Sequence, residues 1–550
     1  MPLPVRDGSC SWVLPGSPQQ AQFGLVVASL AHGAGPYRVR IVTEATAGPG
    51  SLTPVVSPPD DLWQQQIRLT RERLQRARQR QAFITYPAAE PPRERAFHLF
   101  MGEMDFHNAE SYTEIRARLQ AVGKHCQVYV DGETPDQEPL RAAVSDAVRT
   151  FDEEVHPQAR QRFGGVLDVD RDGRFTLLFT PKLSRLCNGK VTLGGCVRGS
   201  DFHRDLAAPF GNRCDLMFLN ADLPAGPHLR TLIAHEYTHA IIYSEHLFGD
   251  YLPSEPRRDE QCWLNEGLAH VNEDLHAYSG SNLDYRVSTF LNAPERYSLV
   301  VPDYYRAGLF RSHGHRGSSF LFLRWCVQRH GEALLERLSR SNLAGIANLE
   351  AATGERFANL FRAWTTDLAR GQLPSPRPSE RLLCGPRTTE FVVGSEQEVA
   401  LTGTSAKYLR LHVPPNQAVK LSISTEGAAE LQATLVPLPA DLPRLSLQVR
   451  PEPTGYRLLL TCPDAALTLE AVAWEKVTPG ERRADDTNYR PDAAATTVHT
   501  WFGEPRLRAG ETRVSELIAW PTDSEPRVFK VSATDAAGRR VAAWVDLARP

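Results

Sequence analysis

The segment HLRTLIAHEYTHAIIYSEHL, residues 228–247, constrains the fold of this chain more than any other. Its apolar residues occupy most of the circumference of a helix, so the sequence predicts a buried helix rather than a surface one. Three ionisable side chains, His235, Glu236 and His239, lie in its middle. Buried polar groups need partners, so the elements packed around this helix must supply them.

The spacing of these three residues suits a metal ion. Residues four apart on a helix lie one turn apart on the same side, so His235 and His239 can bind one ion together. Glu236 is about 100° round the helix from His235. It can therefore reach a water on that metal without being a ligand. The alternative is a helix with ordinary hydrogen-bonded histidines.

A second segment, CWLNEGLAHVNEDL, begins 23 residues beyond His239 and also has a helical pattern. It places Glu266 in the first turn. A catalytic zinc ion needs three protein ligands and one open position, and a carboxylate from a second helix would complete the set. Cys262 is close by, but a thiolate would be a fourth protein ligand and would close the site, so we do not expect it to bind.

The two motifs together resemble the gluzincin metallopeptidases, the class of thermolysin and the zinc aminopeptidases. TLIAHEYTHAI, WLNEGLAHVNEDL and the acidic turn DVDRDG resemble the hyicolysin-like family of neutral metallopeptidases, over roughly residues 95–370. The resemblance implies a zinc-type catalytic domain and a protein or peptide substrate. It implies His235, His239 and Glu266 as zinc ligands and Glu236 as general base.

One departure from the pattern concerns the group that orients a ligand histidine. Thermolysin-like enzymes carry an Asp four residues after the glutamate ligand, and here that position is His270. Metal-bound histidines usually donate their other ring N–H to such a partner. His270, Glu273 and Asp274 are the candidates for this supporting role.

The resemblance also implies a Tyr or His that stabilises the oxyanion, donated by the helical subdomain. Four candidates fall there: Tyr304, Tyr305, His313 and His315. We favour His315, because the segment HRGSSFLF lies where the family carries the segment that begins a helix of this subdomain. Tyr304 is the second choice.

An acidic turn offers a possible calcium site. Asp168, Asp170 and Asp172, followed by Gly173, match the first half of a calcium loop. The twelfth position is Phe179, where such a loop needs a bidentate Glu. A plain acidic turn is therefore the favoured interpretation, with Ca²⁺ as the alternative.

We expect a multidomain α+β chain. Its zincin-type catalytic domain should have a mixed sheet with the active-site helix, followed by a helical subdomain, and β-sandwich modules should follow at the C-terminus. The predicted units are a small β unit (1–50), a linker and basic helix (51–94), the metallopeptidase domain (95–375), a β-sandwich module (376–477) and a second small β module (478–550). Within the catalytic domain, residues 110–122 and 140–155 are predicted as helices.

Composition excludes several function classes. With 62 basic and 65 acidic residues the chain has no electrostatic footprint for nucleic acid. No apolar run is long enough to span a membrane. Nine cysteines are too few for a disulfide scaffold, although Cys187 and Cys196 are close enough in sequence to pair. The family resemblance implies a secreted or cell-envelope protein, whereas the N-terminus shows no signal-peptide pattern.

Three functions fit the sequence. The first is a zinc endopeptidase, and the second is a zinc aminopeptidase. The segment CDLMFLN before the zinc helix has no acidic residue where aminopeptidases bind the free amine, which favours the endopeptidase. The third is a catalytically silent binding or adhesion protein with a structural metal. Glu236 argues against it, because a structural site does not need that carboxylate.

Overall fold

The structure is a computed structural model, and it describes the chain except residues 4, 6, 20, 34, 47–60, 79–85, 104, 249–257, 280, 311, 373–384, 426–428, 477–501, 521–526 and 548–550. The predicted boundaries at residues 50–51, 375–376 and 477–478 lie outside the described residues. Helices and several separate sheets alternate along the chain, so it is a multidomain α+β protein.

The strands in chain order are β1 (Pro2–Leu3), β2 (Ser9–Leu14), β3 (Ala21–Ser29), β4 (Tyr37–Thr46), β5 (Glu94–Phe100), β6 (Tyr112–Val122), β7 (Cys126–Asp131), β8 (Phe175–Thr180), β9 (Gly195–Cys196), β10 (Leu216–Asn220), β11 (Thr388–Val392), β12 (Glu396–Leu401), β13 (Ala406–Val413), β14 (Ala418–Thr425), β15 (Leu431–Leu438), β16 (Ser446–Glu452), β17 (Gly455–Thr461), β18 (Leu467–Lys476), β19 (Arg506–Leu507), β20 (Thr512–Val514), β21 (Ile518–Ala519), β22 (Arg527–Asp535) and β23 (Arg540–Leu547). The helices are α1 (Asp61–Arg78), α2 (Glu138–Thr150), α3 (His156–Arg162), α4 (Leu186–Gly189), α5 (Pro227–Phe248), α6 (Cys262–His276), α7 (Ser281–Asn292), α8 (His313–His330), α9 (Ala333–Ser339), α10 (Gly345–Thr353) and α11 (Phe357–Ala369), and one π-helical turn (Phe151–Val155) joins α2 to α3.

A six-stranded mixed sheet forms the first half of the central domain, in the order β5-β6-β7-β8-β10-β9. Strands β7, β8 and β10 are parallel, and β9 closes one edge antiparallel to β10. Alternate residues of these strands face opposite sides. Leu177 and Met217 pack with α2 and α5 on one face, whereas Leu178 and Leu216 face the other side.

The helix predicted over 110–122 is wrong, because most of this segment forms strand β6. Its buried residues Ile115 and Ala117 are two apart, which is the period of a strand with one face in the core. The charged residues between them resemble a helical composition, but the alternation decides the conformation.

The second half of the central domain is helical. Helix α6 packs on α5 and on α8, and α7 packs along α8. A Cβ at Gly317 would lie 2.1 Å from the carbonyl oxygen of Arg286, so only glycine permits the close crossing of α7 and α8. This packing fixes α6 and the first turn of α8 beside the buried helix α5.

The N-terminal strands and the strands within residues 388–438 build one unit together. The sheet orders β1-β15-β3-β13-β11 and β12-β4-β14-β2 interleave the N-terminal strands with strands from 388–438. Both sheets contribute to one apolar cluster that includes Leu25, Ile41 and Leu421. The structure thus differs from the prediction of a separate N-terminal unit. Strands from residues 388–438 cover the apolar face of the N-terminal strands.

Strands β16–β23 form two further sheets around a separate apolar cluster, so residues 446–476 belong with 506–547 rather than with 388–438. The predicted boundary near residue 477 therefore falls inside one unit of the structure.

The unit built from the N-terminal strands and residues 388–438 packs against the helical subdomain. Val26 and Val436 lie in the same apolar cluster as α11. The Lys407 ammonium is 3.1 Å from the Glu295 carboxylate, and Leu299 N donates to Thr404 O at 3.0 Å. Among the described residues no helix is both long and apolar enough to cross a membrane.

Candidate metal centre and substrate cleft

Helix α5 carries the two histidines of the candidate metal centre. His235 and His239 are 7% and 8% exposed, and their Nε2 atoms are 3.0 Å apart. The helix is buried on most sides, as its apolar circumference predicts. Two imidazoles of one helix therefore face a single point at the edge of the core.

Helix α6 brings the third donor. Glu266 Oε2 lies 3.4 Å from His235 Nε2 and 3.9 Å from His239 Nε2. Within the described part of the chain this buried oxygen accepts no hydrogen bond. Asn272 fastens α6 to α5, because its amide donates to the Ala234 carbonyl at 3.1 Å and to the Thr238 hydroxyl at 2.9 Å.

The other ring nitrogen of each histidine has an acceptor. His235 Nδ1 is 2.6 Å from Glu273 Oε1, and His239 Nδ1 is 2.8 Å from Asn265 Oδ1. A neutral imidazole that donates from Nδ1 has a lone pair on Nε2. Two lone pairs and one carboxylate oxygen then point at the same place, where a cation would satisfy all three.

The donor set fits a zinc ion. Tetrahedral zinc with bonds of about 2.0–2.1 Å separates its ligand atoms by about 3.3 Å. The three measured separations, 3.0, 3.4 and 3.9 Å, lie around that value. Two imidazoles and one carboxylate are the ligands of a catalytic zinc with one open position.

Electrostatics at this point also favour a cation. Burial acts to lower the pKa of His235, but the Glu266 and Glu273 carboxylates outweigh it and raise the pKa to about 10. Burial opposes ionisation of Glu266, yet Arg316 and the two histidines hold its pKa well below the ordinary value. The surrounding carboxylates therefore stabilise positive charge between the imidazoles.

Glu236 lies beside the three donor groups but is not one of them. Burial raises the pKa of Glu236 to about 7, and the charge of His235 opposes the shift. A Cβ on Gly195 would come within 3.1 Å of Glu236 Cγ, so a glycine in β9 gives this side chain its room. The carboxylate thus lies between the metal centre and the edge of the sheet.

The three candidates for the supporting role separate clearly. Glu273 Oε1 lies 2.6 Å from His235 Nδ1 and 2.7 Å from His270 Nδ1, and Asn282 donates to its other oxygen at 3.0 Å. His270 is fully buried and packs beside His235. Asp274 instead accepts from Arg324 at 2.8 Å, outside the cluster.

The two favoured oxyanion candidates are buried, and their role stays a prediction. His315 Nδ1 is 2.6 Å from the Ser312 hydroxyl, and burial lowers the pKa of this histidine to about 4. Tyr304 is 1% exposed, and its hydroxyl is 3.2 Å from Ser319 Oγ. His313 packs its ring against Tyr285. Neither His315 nor Tyr304 lines the cleft described below, whereas Tyr305 does.

Two residues of the site have no counterpart in the sequence interpretation. Asn265 precedes Glu266 and accepts from His239, and only its place in the Asn-Glu-Gly motif pointed to it. Arg316 donates to Glu266 Oε1 at 2.7 Å, and its guanidinium lies over the Phe310 ring. Its proximity depends on how α8 packs, which no local pattern reveals.

A cleft of about 1510 Å³ opens beside the metal centre. It is bordered by Cys196, next to Glu236 in space, and by Tyr243, one helical turn after His239. Tyr305 and Phe310 form its wall on the side of the helical subdomain.

The acidic turn gathers Asp168 and Asp170 with Asp215, which precedes β10. Arg95 already places a guanidinium 2.7 Å from Asp170. Asp172 faces Gln127, and Phe179 is buried in β8. The positive charge of Arg95 agrees with the favoured acidic turn, and a calcium ion stays a prediction.

Cys196 is a free thiol in the part of the chain that the structure describes. The Cys187 thiol donates to the carbonyl of Gly102.

Comparison with known proteins gives one informative similarity. Over 188 residues, 32% of the chain, the sequence is 26% identical to the neutral metalloprotease ShpI of Staphylococcus hyicus. The similarity is to a metalloprotease. The matched segment spans 39% of that protein's length. No family model matches the chain.

The three donor groups are therefore a candidate metal-binding group in a chain that is similar, over part of its length, to a metalloprotease.

Proposed function

We propose that this chain is a zinc-dependent endopeptidase of the gluzincin type, similar to the hyicolysin-like neutral metallopeptidases. The observation that carries the proposal is the convergence of His235 Nε2, His239 Nε2 and Glu266 Oε2. Each histidine is held by an acceptor at its other nitrogen. In this proposal the mixed sheet, α5 and the helical subdomain form a zincin-type domain, and the paired sheets outside it are β-sandwich modules.

In the proposed mechanism, zinc held by these three residues supplies a Lewis acid that polarises the substrate carbonyl and makes water more acidic. Glu236 takes a proton from the attacking water and delivers it to the leaving amine nitrogen. Glu273 and Asn265 keep His235 and His239 in the required tautomers.

Tyr305 is our choice for the hydrogen-bond donor to the oxyanion. Its ring is 44% exposed and forms part of the cleft wall next to the metal centre. Preorganised donors of this kind stabilise the charge that develops on the carbonyl oxygen. Tyr304 and His315, by contrast, contact the hydroxyls of Ser319 and Ser312 and do not themselves line the cleft.

An endopeptidase is favoured over an aminopeptidase by the edge of the sheet. The strand at this edge is β9, and the acidic residue that follows it, Asp201, is fully buried and 3.1 Å from Arg198. That carboxylate is therefore unsuited to binding a free amino terminus. The silent binding protein is disfavoured because a structural metal site does not need the buried carboxylate of Glu236.

The decisive experiment compares the zinc-loaded chain with its Glu236→Gln variant on casein. We expect both proteins to bind one zinc per chain by elemental analysis and only the natural chain to release peptides. Equal hydrolysis by both would refute the role of Glu236, and absence of bound zinc in both would refute the metal centre. A secreted or cell-envelope location stays a prediction that fractionation of expressing cells can test.

A further inference from the structure

Six aromatic side chains follow one another along the cleft wall and form a continuous surface, the aromatic arc. Its members are Phe100, Phe106, Tyr112, Phe210, Tyr305 and Phe310. Successive ring centroids are 4.4–6.4 Å apart, which is contact distance for aromatic pairs. The arc therefore lines the cleft with apolar surface from the sheet side to the helical side.

Three polar side chains next to the arc are engaged with other protein groups. Arg198 donates to the carbonyls of His98 and Phe210 and lies 3.1 Å from Asp201. Lys190 lies 2.9 Å from Glu103 at the exposed rim, and the Tyr112 hydroxyl donates to the Phe106 carbonyl at 2.9 Å. The faces of the rings, rather than a charge, are what the arc offers to a ligand.

The arc is continuous with the metal centre. Tyr305 and Phe310 adjoin Arg316, which donates to Glu266 at 2.7 Å. On the opposite side, Cys196 in β9 borders both the cleft and Glu236. A chain bound at the metal centre would therefore run directly into the cleft.

Strand β9 gives that chain a direction. Gly195 pairs with Leu219 while Asn220 N donates to Gly194 O, so the amide and carbonyl of Gly195 point away from β10. A peptide can add to this edge as a further strand. Antiparallel addition is the commoner and more stable arrangement.

An antiparallel peptide places its residues in reverse order along β9. The cleft borders residues 196–200, which follow Gly195, so the residues that precede the cleaved bond would face it. The peptide residues that follow the cleaved bond would lie on the other side of Gly195, away from the cleft.

We infer that the aromatic arc is the specificity pocket of the enzyme and that it binds a large apolar or aromatic side chain at one of the two residues preceding the cleaved bond. This inference rests on the proposed function. Burying such a side chain favours binding in the transition state by a factor of about 10 to 100 over alanine. The volume of about 1510 Å³ exceeds that of a single side chain, so the pocket also has room for the neighbouring residue.

The test uses the zinc-loaded full chain and a library of acetylated, amidated peptides analysed by mass spectrometry. We expect peptides with Phe, Tyr, Trp or Leu in those two positions to show kcat/KM about 10- to 100-fold above their alanine counterparts. Phe106→Glu should reduce this ratio at least tenfold and favour Lys or Arg there. Phe106 is 45% exposed, so the variant should fold, as thermal unfolding would verify.

Val122→Glu is the matched control, because Val122 is 46% exposed on the same domain and lies outside the cleft. It should leave the preference unchanged. Phe210→Ala, on the sheet side of the cleft, should lower the ratio without adding a charge preference. A preference confined to residues after the cleaved bond, or a ratio unchanged in both arc variants, would overturn the inference. Absence of any cleavage by the zinc-loaded natural chain would instead overturn the proposed function.

Discussion

The carboxylate of Glu273 offers the sharpest test of how this site holds its metal. It lies 2.6 Å from His235 Nδ1 and 2.7 Å from His270 Nδ1, and it is 2% exposed. Glu273→Gln keeps the shape of the side chain and removes its charge. Hydrogen bonds to charged groups contribute about 1.5–3 kcal/mol, which corresponds to a loss of zinc affinity of about 10- to 100-fold. Such losses are typical when the partner of a metal-bound histidine is removed.

Zinc affinity is measured by competition with a chromophoric chelator, and thermal unfolding with and without zinc provides a second readout. Each tenfold loss of affinity lowers the stabilisation at a fixed, saturating zinc concentration by about 1.4 kcal/mol. Asp274→Asn is the matched control, because it removes a carboxylate from the next position of the same helix, where Asp274 binds Arg324.

Weaker zinc binding in Glu273→Gln, with natural affinity in Asp274→Asn, is the expected outcome. The reasoning is refuted by natural zinc affinity in Glu273→Gln, or by equal losses in both variants. Equal losses would mean that any change of charge on α6 disturbs the site.

Three further predictions concern the surroundings of the site. Arg316→Gln should reduce kcat/KM at least tenfold without weakening zinc binding. The reason is that the Arg316 guanidinium, 2.7 Å from Glu266 Oε1, withdraws negative charge from that carboxylate. A fall in zinc affinity comparable to that of Glu273→Gln would contradict this. Burial raises the pKa of Glu260 from 4.5 to about 7, so its contribution to stability is complete below pH 4.5 and is lost as the pH rises through 7. That loss is about 3 kcal/mol. Denaturant unfolding at several pH values should show that the free energy of unfolding declines less steeply with pH in Glu260→Gln than in the natural chain. Gly317→Ala places a Cβ 2.1 Å from the Arg286 carbonyl and should lower the free energy of unfolding by about 1–3 kcal/mol or more, which denaturant unfolding would detect.

The local sequence was sufficient to predict the buried helix α5 and the donor groups that it carries. His235 and His239 lie one turn apart, and the apolar residues around them predict burial from composition alone. The match to Asn-Glu-Gly placed Glu266 on a second helix, and the structure brings it to 3.4 Å from His235. Spacing within one helix is fixed by the geometry of the backbone, so it can be read without knowing the fold.

Local patterns failed where two conformations compete. The charged residues of β6 suggested a helix, although Ile115 and Ala117 already alternate with them. The preference for His315 relied on its position in the chain, yet its ring turns towards Ser312. Which side chains of α8 face the candidate metal centre depends on how α7 and α8 pack, and the spacing of residues in the sequence does not predict this.

The sequence alone determined the groups of the candidate site that lie on one element: two imidazoles and a neighbouring carboxylate on a helix that has to be buried. The tertiary structure decided the rest. It paired β3 with β13 and β15, about 400 residues away, and brought Glu273 and Arg316 against the donor groups. The physical reason is that a helix fixes neighbours one turn apart through its own hydrogen bonds. Contacts between distant segments depend instead on which apolar faces become buried against each other when the whole chain folds.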